Sequence, residues 1–299
     1  MKATEKVTLF VMNYKGFKVL EALIAISSGF IHEVISSRDK NVNNDYFTDI
    51  KSLCKKHKIK FTIRSSASDF KTKYAFSVAW RWLIPVKEEK KLIIFHDSLL
   101  PRYRGFAPLV NALINNEKKV GVTALFASEK YDEGEIIAQS VYNISYPVKI
   151  NTLIEEVTNN YIDLATGIAK KIIAAKKLTS QKQDEKKSSY SIWRDEDDYE
   201  IDWNMDARDV VRFINAVGNP YKGAKSILEN NTVRITDAEL YKDVKLELTH
   251  VGKILFRENG LPIVVCGKGL IKITEMSDDI TGQSLLPLQK FRLRFKKSF

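Results

Sequence analysis

The stretch Val7-Thr8-Leu9-Phe10-Val11-Met12-Asn13-Tyr14-Lys15-Gly16-Phe17-Lys18-Val19-Leu20-Glu21-Ala22-Leu23-Ile24-Ala25-Ile26 decides the fold class. Val7 to Met12 is a compact apolar run of the kind a strand buried on both faces requires. Gly16 follows, and from Phe17 to Ile26 the apolar residues recur at helical spacing. Together they make a βα unit. Working outward, Ile31 to Ser36, Lys60 to Ile63, Tyr74 to Val78 and Leu92 to Phe95 repeat the strand pattern, with a helix expected from Asp45 to His57. Helices at Ala107 to Asn115 and Thr152 to Ala175 are separated by strands at Val120 to Ala127 and Ile136 to Val141. The alternation predicts an α/β domain with a Rossmann-like, mostly parallel sheet and right-handed crossovers. Ligands in such sheets sit beyond the carboxyl ends of the strands.

Lys176 to Ser189 is dominated by Lys, Gln, Asp, Glu and Ser, the composition of a solvated connection. We place the domain boundary there, dividing the chain into residues 1–188 and 189–299. Beyond it, Ala207 to Val217 is an amphipathic helix ended by Gly218-Asn219-Pro220. Short strands are expected at Thr232 to Ile235, Val251 to Phe256, Pro262 to Cys266 and Leu270 to Thr274, with Asn259-Gly260 as a hairpin turn. Short strands with one helix suggest a small OB-like β-barrel.

At 299 residues, with 44% apolar and 28% charged residues, the chain has the composition of a folded globular protein. No run is long and apolar enough to span a bilayer. Met1 to Lys6 leads into a strand without a signal-peptide core, so a cytoplasmic location is expected. Cys54 and Cys266 lie far apart without a CxxC partner, so neither a disulfide framework nor a thiolate metal site is expected. The net charge of +11 suits anionic ligands such as phosphates, nucleotides, folate glutamates or RNA. Much of the excess is diffuse, around Lys170 to Lys187 and Lys290 to Lys297, and aromatic interleaving of the kind that stacks bases is thin.

The densest unusual stretch is Phe95-His96-Asp97-Ser98-Leu99-Leu100-Pro101-Arg102-Tyr103-Arg104-Gly105, which leaves a buried-looking strand and turns through Pro and Gly into a helix. A lone histidine is more often structural than catalytic. At a sheet's carboxyl edge, however, an imidazole is placed to exchange protons near neutral pH. Tyr131-Asp132-Glu133-Gly134-Glu135 puts a carboxylate before a glycine and a strand, where an acidic turn is the plain reading. If Asp132 meets His96 in space it orients the ring, as a third group does in nucleophile-base systems. Other chemistries lack their residues. There is no GxSxG elbow, no P-loop and no GxGxxG after the first strand, and Gly267-Lys268-Gly269 is the one GxG.

His96, Ser98, Leu99, Leu100, Pro101, Gly105, Asp132 and Gly134 resemble the signature of the folate-dependent formyltransferases. That family includes methionyl-tRNA, glycinamide ribonucleotide and nucleotide-sugar formyltransferases. The resemblance extends to Ile201-Asp202-Trp203, Asn215-Ala216-Val217 and Pro220 to Ala224, which look like the start of the family's OB-like C-terminal domain. It implies formyl transfer from 10-formyltetrahydrofolate to a primary amine, with His96 and Asp132 catalytic. It also implies folate binding at Trp80, Trp82, Leu83, Ile84, Tyr131 and Gly134, and acceptor binding at Ser98, Arg102, Tyr103, Arg104 and Gly105. No metal is implied. One position departs from the pattern: Ile94 stands where the family has an asparagine, and isoleucine donates no hydrogen bond. Asp97 and Ser98 are the nearby groups to compensate.

Methionyl-tRNA formyltransferases resembling this chain carry a long Gly- and Arg-rich insertion after the second strand. Here Ser36 to Asp45 is short and glycine-free. The expected acceptor is therefore a nucleotide-linked amino sugar, as in O-antigen or other surface-glycan synthesis, with Arg102 and Arg104 beside its diphosphate. Methionyl-tRNA is the alternative acceptor, and a degenerate folate- or nucleotide-binding protein the alternative to an enzyme. The resemblance also raises a homodimer.

Overall fold

The computed structural model describes residues 5–64, 69–85, 87 and 89–297. Residues 1–4, on which part of the N-terminal expectation falls, lie outside that range. The chain divides into two compact units, one of residues up to 109 with 118–144 and 153–192, the other of 110–117, 145–152 and 193–299.

The first unit is built on a seven-stranded sheet. Its elements are β1 (Val7–Val11), α1 (Asn13–Ser27), β2 (Ile31–Ser36), α2 (Phe47–Lys56), β3 (Lys60–Ile63), β4 (Tyr74–Val78) and β5 (Lys91–His96). The chain continues through β6 (Arg104–Gly105), α3 (Pro108–Ile114, which from residue 110 onward belongs to the second unit), β7 (Lys119–Phe126), β8 (Ile136–Asn143), α4 (Ile150–Ile173) and β9 (Tyr190–Ser191). The strand order is β3-β2-β1-β4-β5-β7-β8. Every residue of β1 is buried, as its largely apolar run requires, and the one hydroxyl, on Thr8, pairs with that of Thr72 at 2.9 Å. From β1 the chain steps outward to β2 and β3 and then returns to β4 on the other side. The order therefore reverses between β1 and β4, the place where doubly wound sheets open a crevice.

The strands β1 to β5 pair in parallel, whereas β7 is antiparallel to β5 and β8 antiparallel to β7. The loop 127–135 between β7 and β8 is too short for a crossover, so β8 returns as a hairpin. Helix α1 begins at Asn13, earlier than the apolar spacing indicates, because its first turn is polar and packs tightly on the strand. A Cβ on Gly16 would lie 2.9 Å from Val11 Cβ.

The segment Lys176 to Ser189 is solvated as expected, yet it is tied to the first unit by its backbone. Gln181 bridges Ile136, residues Glu185–Lys187 form a 3-10 turn, and β9 pairs in parallel with β6. Most of the segment's side chains are exposed, as the composition indicates, but Gln183 and Glu185 bond to the buried Arg104, and Gln183 also to the backbone of the loop at Asp132.

The second unit contains α5 (Ala207–Val217), β10 (Ala224–Leu228), β11 (Asn231–Tyr241), β12 (Ile254–Glu258), β13 (Leu261–Val265) and β14 (Leu270–Asp278). The Asp206 side chain caps α5 by accepting from the Arg208 N–H. The antiparallel order is β10-β11-β14-β13-β12, and Asn259 and Gly260 both take positive φ in the β12–β13 turn. β10 was not foreseen, and β11 and β14 are longer than the expected strands. Lys296 bridges Ile227 on one edge while Arg294 bridges Lys253 beside the other, so the C-terminal segment covers both open edges. Among the described residues no helix is long and apolar enough to cross a membrane.

Candidate active site

β5 carries Leu92, Ile93 and Phe95 through the core and delivers His96, itself 8% exposed, at its carboxyl end. The loop that follows is held from beneath by Thr123 on β7. Its hydroxyl donates to Ser98 O at 2.6 Å and accepts from Leu100 N at 3.1 Å. Gln139 Nε2 donates to Leu100 O at 2.8 Å. Ser98 Oγ donates to Arg102 O at 2.7 Å, closing the turn on itself. The loop then passes through Tyr103 in the left-handed region, so that Tyr103 O stands 2.8 Å from His96 Nε2.

A carbonyl oxygen only accepts, so Nε2 carries the hydrogen and Nδ1 is left facing Asp132 Oδ2 at 3.5 Å. Asp132 sits in the 127–135 loop with φ of 57°, and the same Oδ2 accepts the Gly105 N–H at 2.8 Å. Two residues on, a Cβ at Gly134 would fall 1.7 Å from Phe126 O, so only glycine lets this loop fold back. Sequence positions 96 and 132 are thus brought together. With Nδ1 unprotonated, the imidazole and the carboxylate form a two-acceptor edge that attracts an N–H donor. With Nδ1 protonated, the imidazolium donates to both Tyr103 O and Asp132. The pair can therefore take a proton from an attacking nucleophile and present positive charge to an oxyanion.

Asp97 and Ser98 do not replace the missing asparagine. Asp97 is held by Lys15 Nζ at 2.6 Å and by the Tyr161 hydroxyl at 2.8 Å, while the Ser98 hydroxyl is committed to Arg102 O. Burial, with the charge of Asp97, pushes the Tyr161 phenol well above its usual range. Ile94 itself packs against core residues including Leu125 and Leu92.

The expected folate residues divide. Trp80 and Ile84 pack with Ala127 on the cluster containing Leu92, and Trp80 meets Phe10 edge-on at 5.2 Å. Leu92, Ala127 and Gly134 also line a cleft of about 570 Å³, rimmed by Lys90, Lys91 and Lys182. Trp80 Nε1 is buried with no hydrogen-bond partner among the described residues. Trp82 lies under the Arg64 guanidinium at 4.1 Å, and Leu83 and Tyr131 are largely exposed.

Of the expected acceptor residues, Gly105 touches the site through its N–H, Ser98 and Tyr103 shape the loop, and Arg102 is exposed. Arg104 is a correction. Its guanidinium is completely buried and donates to Gln183 Oε1 and to both Glu185 oxygens, which leaves none of it for a diphosphate. The hydrogen bond from Arg104 holds the Glu185 carboxyl below the usual range. Gln183, Lys15 and Tyr161 escaped the sequence reading. The one signal was Lys15, an isolated cation between an apolar strand and an apolar helix face.

The family model described as formyl transferase matches residues 49–165, and that described as formyl transferase, C-terminal domain, matches 194–286. A methionyl-tRNA formyltransferase of Syntrophomonas wolfei is 27% identical over 292 residues, covering 91% of this chain and 90% of its own. WlaRD, a sugar 3N-formyl transferase solved in the presence of dTDP and 5-N-formyl-THF, has a TM-score of 0.69 at 19% identity, covering 96% of this chain and 99% of that one. The N-formyltransferase of Helicobacter canadensis, in complex with folinic acid and dTDP-3-aminofucose, has a TM-score of 0.67 at 19% identity, covering 90% and 98%. Matches on both the α/β unit and the antiparallel unit, with a histidine and an aspartate meeting at the end of β5, lead to one conclusion: the chain belongs to the formyltransferase family.

Proposed function

We propose that this protein transfers the formyl group of 10-formyltetrahydrofolate to the primary amine of a nucleotide-linked amino sugar, with His96 and Asp132 as its catalytic residues. The observation that carries formyl transfer is the Nδ1–Oδ2 edge, whose 3.5 Å separation in the free protein leaves the pair to tighten when substrate arrives. The amine lone pair attacks the formyl carbon, making a cationic nitrogen and an oxyanion. The ammonium proton passes to the His96–Asp132 edge, and the imidazolium faces the developing negative charge. Collapse of the oxyanion breaks the bond from carbon to N10 of the folate. N10 keeps the electron pair and takes up a proton, leaving a formamide and tetrahydrofolate.

The cleft beside the Asp132 loop suits the donor. Leu92, Phe126 and Ala127 offer an apolar floor for a flat pterin, and the rim carries Lys90, Lys91 and Lys182 beside the carboxylates of Glu133, Glu135 and Glu185. For the acceptor, the connection after β2 is short and bonded to itself, with Arg38 on Asp45 at 3.1 Å and Asn41 N on Asp39 at 3.0 Å. It offers no extended basic wedge. Arg102, exposed on the His96 loop, is the cation placed for a diphosphate. Methionyl-tRNA is the second reading, favoured by the relatives that carry that name and by the net charge of +11.

The test is formylation of a panel of nucleotide-linked 3-amino and 4-amino sugars beside methionyl-tRNA. Turnover of a sugar with unmodified tRNA is expected, and formylation of tRNA alone rejects the sugar. His96→Ala and Asp132→Asn should each slow turnover ~10²- to 10⁴-fold while keeping the native melting temperature. Wild-type rates in both variants reject the site.

A further inference from the structure

Arg104 and Gln183 stand between the two catalytic loops. Arg104 is flanked by Tyr103, whose carbonyl holds His96, and by Gly105, whose N–H holds Asp132. Its own side chain turns away from the site and donates to Gln183 Oε1 through Nε at 3.1 Å and Nη2 at 2.8 Å. The other end of the same amide donates from Nε2 to Asp132 O at 2.6 Å and Gly134 O at 2.8 Å. The carbonyl end of Gln183 therefore meets the His96 loop and the amino end meets the Asp132 loop. Two bonds are accepted and two donated, so the amide has one orientation and no spare capacity. The guanidinium has further acceptors in Glu185 and the Tyr190 hydroxyl, and Glu133 of the Asp132 loop lies 3.6 Å from Nη1, but it is Gln183 that donates to that loop's backbone carbonyls.

We infer that Gln183 is a positioning residue for formyl transfer: by joining Arg104 to the backbone of the Asp132 loop, its amide sets the separation of His96 Nδ1 and Asp132 Oδ2. The inference rests on the assignment of His96 and Asp132 made above. It places a segment of connecting composition inside the catalytic apparatus. Glu185 has a different part. It bonds Arg104 from an exposed position and touches neither catalytic loop's backbone, so it anchors the guanidinium without spanning the gap.

Gln183→Glu separates the two functions. A carboxylate still accepts from Arg104, but it cannot donate to the Asp132 and Gly134 carbonyls. With 10-formyltetrahydrofolate and the acceptor panel above, kcat at saturating folate should fall ~10- to 100-fold in this variant, because the reacting pair is misaligned. The acid limb of the kcat profile should also move, which a loss of global stability would not cause. The ¹⁵N spectrum of the four histidines, with His96 identified by its absence in His96→Asn, should show the Nε2–H tautomer in the wild type and a changed Nδ1 signal in Gln183→Glu.

If His96→Asn turns over at the wild-type rate, the site assignment fails and this inference with it. If His96→Asn is inactive while Gln183→Glu keeps wild-type kcat and an unchanged His96 spectrum, the site stands and Gln183 is not its strut. Should Gln183→Glu fail to fold, the near-isosteric Gln183→Met takes its place under the same criteria. In the unaltered protein the Gln183 side-chain NH₂ must exchange slowly with solvent. Exchange at the rate of a free glutamine overturns the inference whatever the variants do.

Discussion

The backbone N–H of Gly105 and the carboxylate of Asp132 are joined at 2.8 Å, and the oxygen that accepts this bond is the one that faces His96. One loop thus supplies both a histidine and the donor that aims the histidine's partner. Gly105 has φ of +96°, and a Cβ there would lie 2.5 Å from Ser191 O. Gly105→Ala is therefore expected to swing this N–H away and lower kcat by ~10²-fold, with a smaller change in folate affinity. Steady-state kinetics with matched folate titrations would show it, and an unchanged kcat would remove the Gly105–Asp132 bond from the mechanism.

Ile94 occupies the place from which a side-chain amide would donate to the oxyanion. Loss of one such donor costs about 10²- to 10³-fold in other acyl-transfer sites. Ile94→Asn should raise kcat by ~10-fold or more and at the same time lower the melting temperature, since Ile94 packs against two apolar clusters. A rate that falls with stability would show that this chain supplies the donor elsewhere.

Lys15 and Asp97 form an ion pair with side chains 10% and 22% exposed, on opposite sides of the gap between α1 and the end of β5. Breaking a mostly buried pair leaves a charge without its partner and costs about 3 kcal/mol. Lys15→Met should show that loss in denaturant unfolding, and Lys15→Met/Asp97→Leu should recover much of it. Equal stability of the single variant and the wild type would mean that water already solvates the pair.

Glu185 sets the sign of one pH effect. The Arg104 hydrogen bond holds its carboxyl below 4.5, against an opposing contribution from burial. A group with a depressed folded-state value stabilises above its unfolded value and loses that contribution as pH falls through the folded one. Glu185→Gln should thus melt below the wild type at pH 7, with the two curves converging as pH falls below 4.5 and through the depressed folded-state value. A gap that widens on acidification would contradict the pairing.

Cys54 and Cys266 are fully buried, and burial pushes both thiols up to about 12. Neither should react with a thiol reagent at pH 8 in the native protein, and both should react after unfolding in guanidinium. Rapid labelling of the folded chain would place at least one of them at the surface.

Much of the α/β unit is legible in the chain because burial on both faces forces strands such as Val7–Val11 to be apolar apart from the hydrogen-bonded Thr8. The helix Ala207–Val217 is equally plain, since one face is buried and the other is not. His96 and Asp132 are visible as unusual residues at strand ends. Strand Ala224–Leu228 is not, because alternation over five residues between Lys225 and Ile227 is too weak a pattern to separate from a turn.

The sequence by itself determined most strands and helices and the family signature around His96 and Asp132, because these depend on local spacing and on which side chains avoid water. Only the tertiary structure decided that Arg104 is buried, that Gln183 joins Arg104 to the backbone of the Asp132 loop, and that Nδ1 rather than Nε2 of His96 faces Asp132. A charged or amide side chain reads as solvent-facing until the fold brings it partners from residues tens of positions away, and no local pattern encodes which partners those are.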